Sequence, residues 1–471
     1  MEKAGVFMIR VREYIGEKAF YAKAARIALP IMMQGSIYNL IGLLNNIMVG
    51  RVSTVQMNGV AVVNQLMFVF YSCISGIFGG IGVFTAQFSG KGDEEGIRYT
   101  FRFKLVTSFL LSAATILLLG IWGKPLIQSY LSGEGLAADA EASLAYGMGY
   151  LWIMLVGVPP YALINVYSST LRELGRTKMP MFFCVFSMVV SLVLNYVLIF
   201  GFVGIPAMGC YGAAAATLVA RFIELAGVAG WTHLNAHRLP FIQGAYRSLH
   251  IPGWLALRIA KKSAPFALNQ LLWSMGVAAQ TQCYSVRGLY VVSANNIVSA
   301  LSSLIIVVAN AVGNTARIVI GHMMGRSEAP DKIRSVYQKF IGLGFVSSFA
   351  VALLYALAGR YFPLIYNTTD EVRQLASSFI LISALILPFT SYLTVVSGVL
   401  HTGGNANLNL IFDTVFIWLA CVAPASCLVH FTGLGILWIY GFCQATEILK
   451  TFLGILLIKK GRWIQNVVDH A

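Results

Sequence analysis

The chain has 471 residues, 58% of them apolar and only 11% charged, where an ordinary soluble domain carries about 25% charge. That balance excludes a soluble globular enzyme, a disordered chain and a coiled coil, all of which need more charge. A formal net charge of +15 would suit nucleic acid only if the basic residues shared one face; they fall in short clusters between apolar runs, so no nucleic-acid partner is expected.

In chain order, residues 1–23 are of mixed charge with no apolar stretch before a small-residue cleavage site, which reads as a cytoplasmic lead-in. Twelve apolar runs follow, at 26–49, 57–82, 102–122, 144–168, 179–202, 209–233, 259–284, 291–316, 340–359, 373–399, 408–428 and 434–457, each near the ~20 residues a membrane-crossing helix requires. The expected fold is an all-α integral membrane protein of twelve transmembrane helices. Its pieces are a lobe over 24–233, a cytoplasmic connection over 234–258, a second lobe over 259–458 and a cytoplasmic tail over 459–471.

Several polar side chains interrupt these runs. Gln34, Tyr38, Asn39 and Asn45 lie in span 1, Asn64 in span 2 and Asn195 in span 5. Amides and a tyrosine in apolar surroundings suit a cleft that holds an organic molecule through hydrogen bonds and ring contact. Three carboxylates fall inside spans: Glu224, Asp413 and Glu447. Each costs about 2.5–3.5 kcal/mol at mid-membrane, so each is a candidate for ion coupling. Glu224 lies one turn from Arg221 and Glu447 three residues from Lys450, so each is expected to pair with the cation on its own helix. Asp413 has no Lys or Arg within two turns of its helix, which makes it the foremost candidate. The seven cysteines form no CxxC, and His233 and His237 have no evident third ligand, so neither a metal nor another cofactor is expected.

Lys and Arg fix the orientation, because cytoplasmic loops carry their excess. With the N-terminus inside, 26 of the 33 fall in inner segments, at 1–26, 91–104, 172–178, 238–262, 317–339 and 459–462. Both termini are therefore expected in the cytoplasm. The two halves also echo each other: Pro30 corresponds to Pro265, and Gly90-Lys91-Gly92-Asp93 to Gly325-Arg326-Ser327-Glu328, both 235 residues apart. Gly212 with Glu224 corresponds to Gly435 with Glu447 at a spacing of 223. Repeated bundles of this kind are a mark of transporters.

With these pieces in order, the chain resembles the multidrug and toxic compound extrusion (MATE) family, within the wider group that includes polysaccharide and lipid-precursor exporters. The resemblance rests on Ala28-Leu29-Pro30, Asn45-Asn46-Ile47-Met48-Val49-Gly50-Arg51, Gln87-Phe88-Ser89-Gly90-Lys91-Gly92-Asp93, Leu171-Arg172-Glu173-Leu174-Gly175, Leu194-Asn195-Tyr196-Val197-Leu198-Ile199-Phe200-Gly201 and Gly209-Cys210-Tyr211-Gly212. It implies two pseudo-symmetric six-helix lobes around a V-shaped central cleft. It further implies a monomer in the bacterial cytoplasmic membrane that exports amphipathic, often cationic, organic compounds by alternating access, in antiport with Na⁺ or H⁺.

The departures bear on energy coupling. The family usually holds an Asp at the position of Asn45 and another at that of Asn195; an amide takes up no proton near neutral pH and gives a bound Na⁺ no net charge. Where relatives carry a Glu in span 7, this chain has Trp273. Binding to substrate is accordingly expected from Gln34, Tyr38, Asn39, Asn45, Asn64 and Asn195, with Asp413, Glu224 and Glu447 as coupling candidates. Two alternatives stand beside this reading: a lipid-linked precursor flippase, disfavoured by the lack of a cationic track, and a membrane receptor or assembly protein that has lost coupling.

Overall fold

The computed structural model describes residues 13–468 apart from 132–136, 203, 205, 367, 404, 405, 460 and 462. The lead-in over 1–23 thus lies within the described residues only from position 13. Among the described residues thirteen helices carry the chain: α1 (Lys18–Gly50), α2 (Thr54–Lys91), α3 (Glu94–Leu131), α4 (Ala137–Val156), α5 (Val158–Glu173), α6 (Lys178–Phe200), α7 (Cys210–Leu234), α8 (Gly253–Ser285), α9 (Leu289–Gly325), α10 (Pro330–Tyr361), α11 (Asp370–Thr402), α12 (406–431) and α13 (Ile436–Lys459). α12 is α-helical at its ends and π-helical over Ile411–Val415 and Ile417–Val422.

Each apolar run of the sequence has its helix, the fourth being broken. α4 and α5 meet at a bend of 43°. Gly157 lies at the break, and Pro159 and Pro160 follow it with no N–H to continue the ladder. By length and hydropathy alone, nine helices among the described residues could cross a membrane, or ten if the bent pair counts as one span. The expected twelve membrane helices are consistent with this, since each of the twelve apolar runs has its helix. α8 is long enough at 33 residues, but Asn269, Gln270 and Gln280 dilute its apolar character; α1 has the same length. Large apolar side chains point outward along the spans, among them Phe345, Phe349, Leu353 and Leu357 of α10 and Phe109, Leu117 and Ile121 of α3. Hydrocarbon is the solvent that suits such faces, and the protein is a multi-pass membrane protein.

The internal repeat survives in atomic detail. α1 and α8 are both 33 residues long and both contain their proline at the thirteenth position. At the end of α2, Gly92 has φ +79°, with Gly92 N–H donating to Ser89 O at 3.3 Å and Asp93 N–H to Phe88 O at 3.0 Å. At the end of α9, Ser327 takes the same left-handed conformation, φ +51°, with Ser327 N–H on Met324 O at 3.0 Å and Glu328 N–H on Met323 O at 3.1 Å. This is the helix-ending turn that glycine favours, kept at its repeat mate by a serine. The two helix ends cross there. A Cβ on Gly90 would lie 2.2 Å from His322 O, and one on Gly325 1.9 Å from Gln87 O. His322 and Gln87 are themselves 235 residues apart, so the contact is reciprocal.

The chain forms two compact units: unit 1 comprises Met1–Met32, Gly79–Asp93 and Leu257–Ala471, and unit 2 comprises Met33–Phe78 and Glu94–Ala256. Unit 1 has a core in which Ala24 and Ile27 of α1 join Ile318 and Ile320 of α9, Phe340 of α10 and Val395 and Val399 of α11, with Trp463 fully buried among them. Gln87, also fully buried, ties the chain after α13 to this core. Its Nε2 donates to Thr402 O and Gln465 O, both at 3.1 Å, and its Oε1 accepts from Val467 N–H at 2.7 Å. In unit 2 the connection after α7 is bound by arginines: Arg102 donates to Gly244 O, Ala245 O and His250 O, and Arg98 to Pro240 O and Phe241 O.

Candidate functional site

Unit 2 holds all the amides and the tyrosine singled out in sequence. Gln34, Tyr38 and Asn45 share a face of α1, since eleven residues make close to three full turns. On α6, Ser187, Ser191 and Asn195 form a buried stripe at four-residue spacing. The two faces meet where Asn195 Nδ2 donates to Asn45 Oδ1 at 2.6 Å. Asn195 is fully buried, and its own Oδ1 has no hydrogen-bond partner, an acceptor left open toward its surroundings.

The other expected contacts are spread along the unit. Gln34 Oε1 accepts from Arg172 Nη1 at 3.4 Å, and Asn64 Oδ1 accepts from the Tyr150 hydroxyl at 3.4 Å. Tyr38 is 48% exposed, and Asn39 is half-buried and has interactions of its own. The structure therefore brings Asn45 and Asn195 into direct contact, and it leaves Gln34, Asn64, Tyr38 and Asn39 as separate polar points of the same unit.

The charged side chains depart from expectation. Glu224 does not pair with Arg221; it accepts from Ser187 Oγ at 3.2 Å. Arg221 instead donates to Gly157 O and to the Tyr71 hydroxyl. In unit 1, Lys450 passes over Glu447 on its own helix and reaches Asp413 on α12, Nζ to Oδ1 at 3.0 Å. Helical spacing had placed Lys450 with Glu447, but a neighbour across α12 and α13 is nearer. Glu447 faces Thr390 and lies within electrostatic reach of Lys450.

Asp413 is consequently the centre of a built cluster. Its Oδ2 accepts from Ser397 Oγ of α11 at 3.1 Å and from Asn269 Nδ2 of α8 at 3.4 Å. Thr414 Oγ1 secures Asn269 through its Oδ1 at 2.5 Å, and the Lys450 ammonium lies 4.6 Å from the centre of the Phe412 ring. Four helices converge on one carboxylate, which sits in a π turn, a geometry frequent at functional sites.

Sequence reasoning missed one ion pair entirely. Lys104, fully buried, lies 2.5 Å from Glu173 and also donates to Ser169 and Thr170 at 3.0 and 3.2 Å. Lys104 passed for an inner-loop charge; its position ten residues into α3 was the available sign. Among the described residues no group of three His, Cys, Asp or Glu side chains could hold a metal ion.

A doubled bundle of long apolar helices, broken at mid-span and carrying buried amides and ion pairs, defines a polytopic membrane protein built on a transporter architecture. The MatE family model matches residues 30–197 and 265–425, segments that open on Pro30 and Pro265. The chain belongs to the MatE family. It is 26% identical to the probable multidrug resistance protein NorM of Oceanobacillus iheyensis, over 87% of this chain and 89% of that one. It is 23% identical to the multidrug resistance protein MdtK of Yersinia enterocolitica, over 93% and 94%. In fold it is similar to a MOP superfamily transporter from Pyrococcus furiosus, with a TM-score of 0.83 at 20% identity, covering 96% and 97%. A Vibrio cholerae MATE transporter matches with the same TM-score at 18% identity, covering 95% and 100%.

Proposed function

We propose that this protein is a secondary active exporter of amphipathic organic compounds, acting by alternating access between the lobes 24–233 and 259–458 as a monomer in the cytoplasmic membrane, with both termini inside. The family is one of transporters, and the reading involves no enzymatic step and no cofactor. The observation that carries it is the match along nearly the whole chain to proteins named for multidrug resistance. Gln34, Tyr38, Asn39, Asn45, Asn64 and Asn195 supply the hydrogen bonds and ring surface for substrate.

Coupling to Na⁺ or H⁺ falls to Asp413 before Glu224 and Glu447. With Asn45 and Asn195 both neutral, the Asp413–Lys450 pair offers a largely buried carboxylate that joins two helices of unit 1. A carboxylate already held by an ammonium binds an external cation only if Lys450 moves away, so exchange of partners at Asp413 would link ion entry to helix rearrangement. The test is dye accumulation in an efflux-deficient host expressing the protein, with the Na⁺ and proton gradients collapsed separately. Collapse of one gradient should raise accumulation to the level of the empty host, and Asp413→Asn should do the same. Export indifferent to both gradients would overturn the coupled reading.

A further inference from the structure

Arg221 lies near the middle of α7 and is 8% exposed. Its Nη1 donates to Gly157 O at 3.0 Å, its Nη2 to the Tyr71 hydroxyl, and its guanidinium carbon lies 5.5 and 5.1 Å from the ring centres of Tyr71 and Tyr161. Those rings are themselves 4.4 Å apart. Gly157 leaves just enough room, since a Cβ there would stand 2.8 Å from Arg221 Nη1. Any neutral donor could satisfy a carbonyl at a helix break. A full positive charge at that depth is costly and calls for a counter-charge.

Unit 2 offers none in contact. Among the described residues no carboxylate lies within 4.0 Å of Arg221, because Glu224 is turned to Ser187 and Glu173 is taken by Lys104. Arg172, hydrogen-bonded to the neutral amide of Gln34, brings a second guanidinium within reach of Glu224. Arg172 also has Glu173 within electrostatic reach, so Glu224 is shared between the two guanidiniums and is hydrogen-bonded by Ser187 rather than by either of them. Of the five N–H groups of Arg221, two have the protein acceptors named above. Tyr38, 48% exposed, stands within electrostatic reach of the guanidinium.

We propose that Arg221, framed by Tyr38, Tyr71 and Tyr161, is an anion-recognition point, so that the molecules this protein binds carry a carboxylate, sulfonate or phosphate next to an aromatic body. The rings take the aromatic part by offset or edge contact, and the free face of the guanidinium fork takes the anionic oxygens. The proposal rests on the export reading for transport and narrows its substrate class away from simple cations.

A matched pair of probes tests it: rhodamine B, which has a free carboxylate, and its ethyl ester, which has none. Binding to the purified full-length protein is read by fluorescence anisotropy, and efflux of both dyes is read in an efflux-deficient host. The wild type should bind the acid at least about tenfold more tightly than the ester, the span of a charge-assisted hydrogen bond. Arg221→Gln should remove that preference by weakening the acid alone, and Arg221→Lys should keep part of it. Equal or tighter binding of the ester by the wild type overturns the proposal without any variant having to fold, as does an equal loss of both dyes in Arg221→Gln. Efflux of the ester with no preference for the acid overturns the anion site while the export reading stands. Arg221-dependent binding of the acid without efflux supports the site and overturns the export reading. Displacement of the acid by dihexanoyl phosphatidylglycerol but not by dihexanoyl phosphatidylcholine supports the site with a lipid headgroup as its anion source.

Discussion

Asn195 donates to Asn45 in a place where a carboxylate would need a proton or a cation. The contact is short, at 2.6 Å, and Asn195 is fully buried, so loss of one partner strands the other. Asn45→Ala is expected to cost about 1–3 kcal/mol, the usual penalty for an unsatisfied buried polar group. The double variant Asn45→Ala/Asn195→Leu should cost less than the sum of the singles, measured by thermal unfolding in detergent. Additive losses would mean that the two amides act independently. Both positions were legible in the sequence, because each stands where the family resemblance implies an acid. Their mutual hydrogen bond was not, since it depends on how α1 and α6 face each other. Gln87 shows the opposite limit: it belonged to a recognisable motif, yet nothing local in the sequence indicated that it anchors residues nearly four hundred positions away.

Among the elements, α12 and α13 show where helical spacing stops being a guide. An i,i+3 pair is worth only about 0.2–0.5 kcal/mol on a helix surface, so a better-placed carboxylate on a neighbouring helix takes Lys450 from Glu447. The π turns over Ile411–Val415 and Ile417–Val422 re-aim the side chains of α12 and have no sequence signature comparable to a proline or a cap. Removing one partner of the pair is predicted to be severe: Asp413→Asn leaves an ammonium only 12% exposed without its counter-charge, at about 3–5 kcal/mol. Replacing both, Asp413→Asn with Lys450→Met, should recover most of that loss. Thermal unfolding of the four proteins in a double-mutant cycle measures the coupling. A double variant as unstable as Asp413→Asn alone would show that Lys450 is not what makes the aspartate necessary.

At the scale of the whole molecule, the sequence was most legible where long-range physics is simplest. Spans follow from apolar length, and the repeat follows from two anchors at one spacing; the matching turns at Gly92 and Ser327 give that repeat an atomic basis. The proposed orientation rests on charge, and side-chain hydrogen bonds hold part of that charge in place. Arg98, Arg102 and Arg176 donate to carbonyls of the connection after α7, so these cations are fixed at one rim and are unavailable to the other. Moving a cluster of bound guanidiniums through hydrocarbon is far costlier than leaving it where synthesis placed it, which makes the topology a single testable state. In a background freed of the seven native cysteines, Ser248→Cys in that connection and Ala207→Cys in the loop between α6 and α7 should report opposite sides. A membrane-impermeant maleimide should label position 207 in intact cells and position 248 only after the membrane is opened. The reverse pattern would place 26 of the 33 basic residues outside, against the bias that orients helical membrane proteins, and would exchange the entry and exit sides assigned to the exporter.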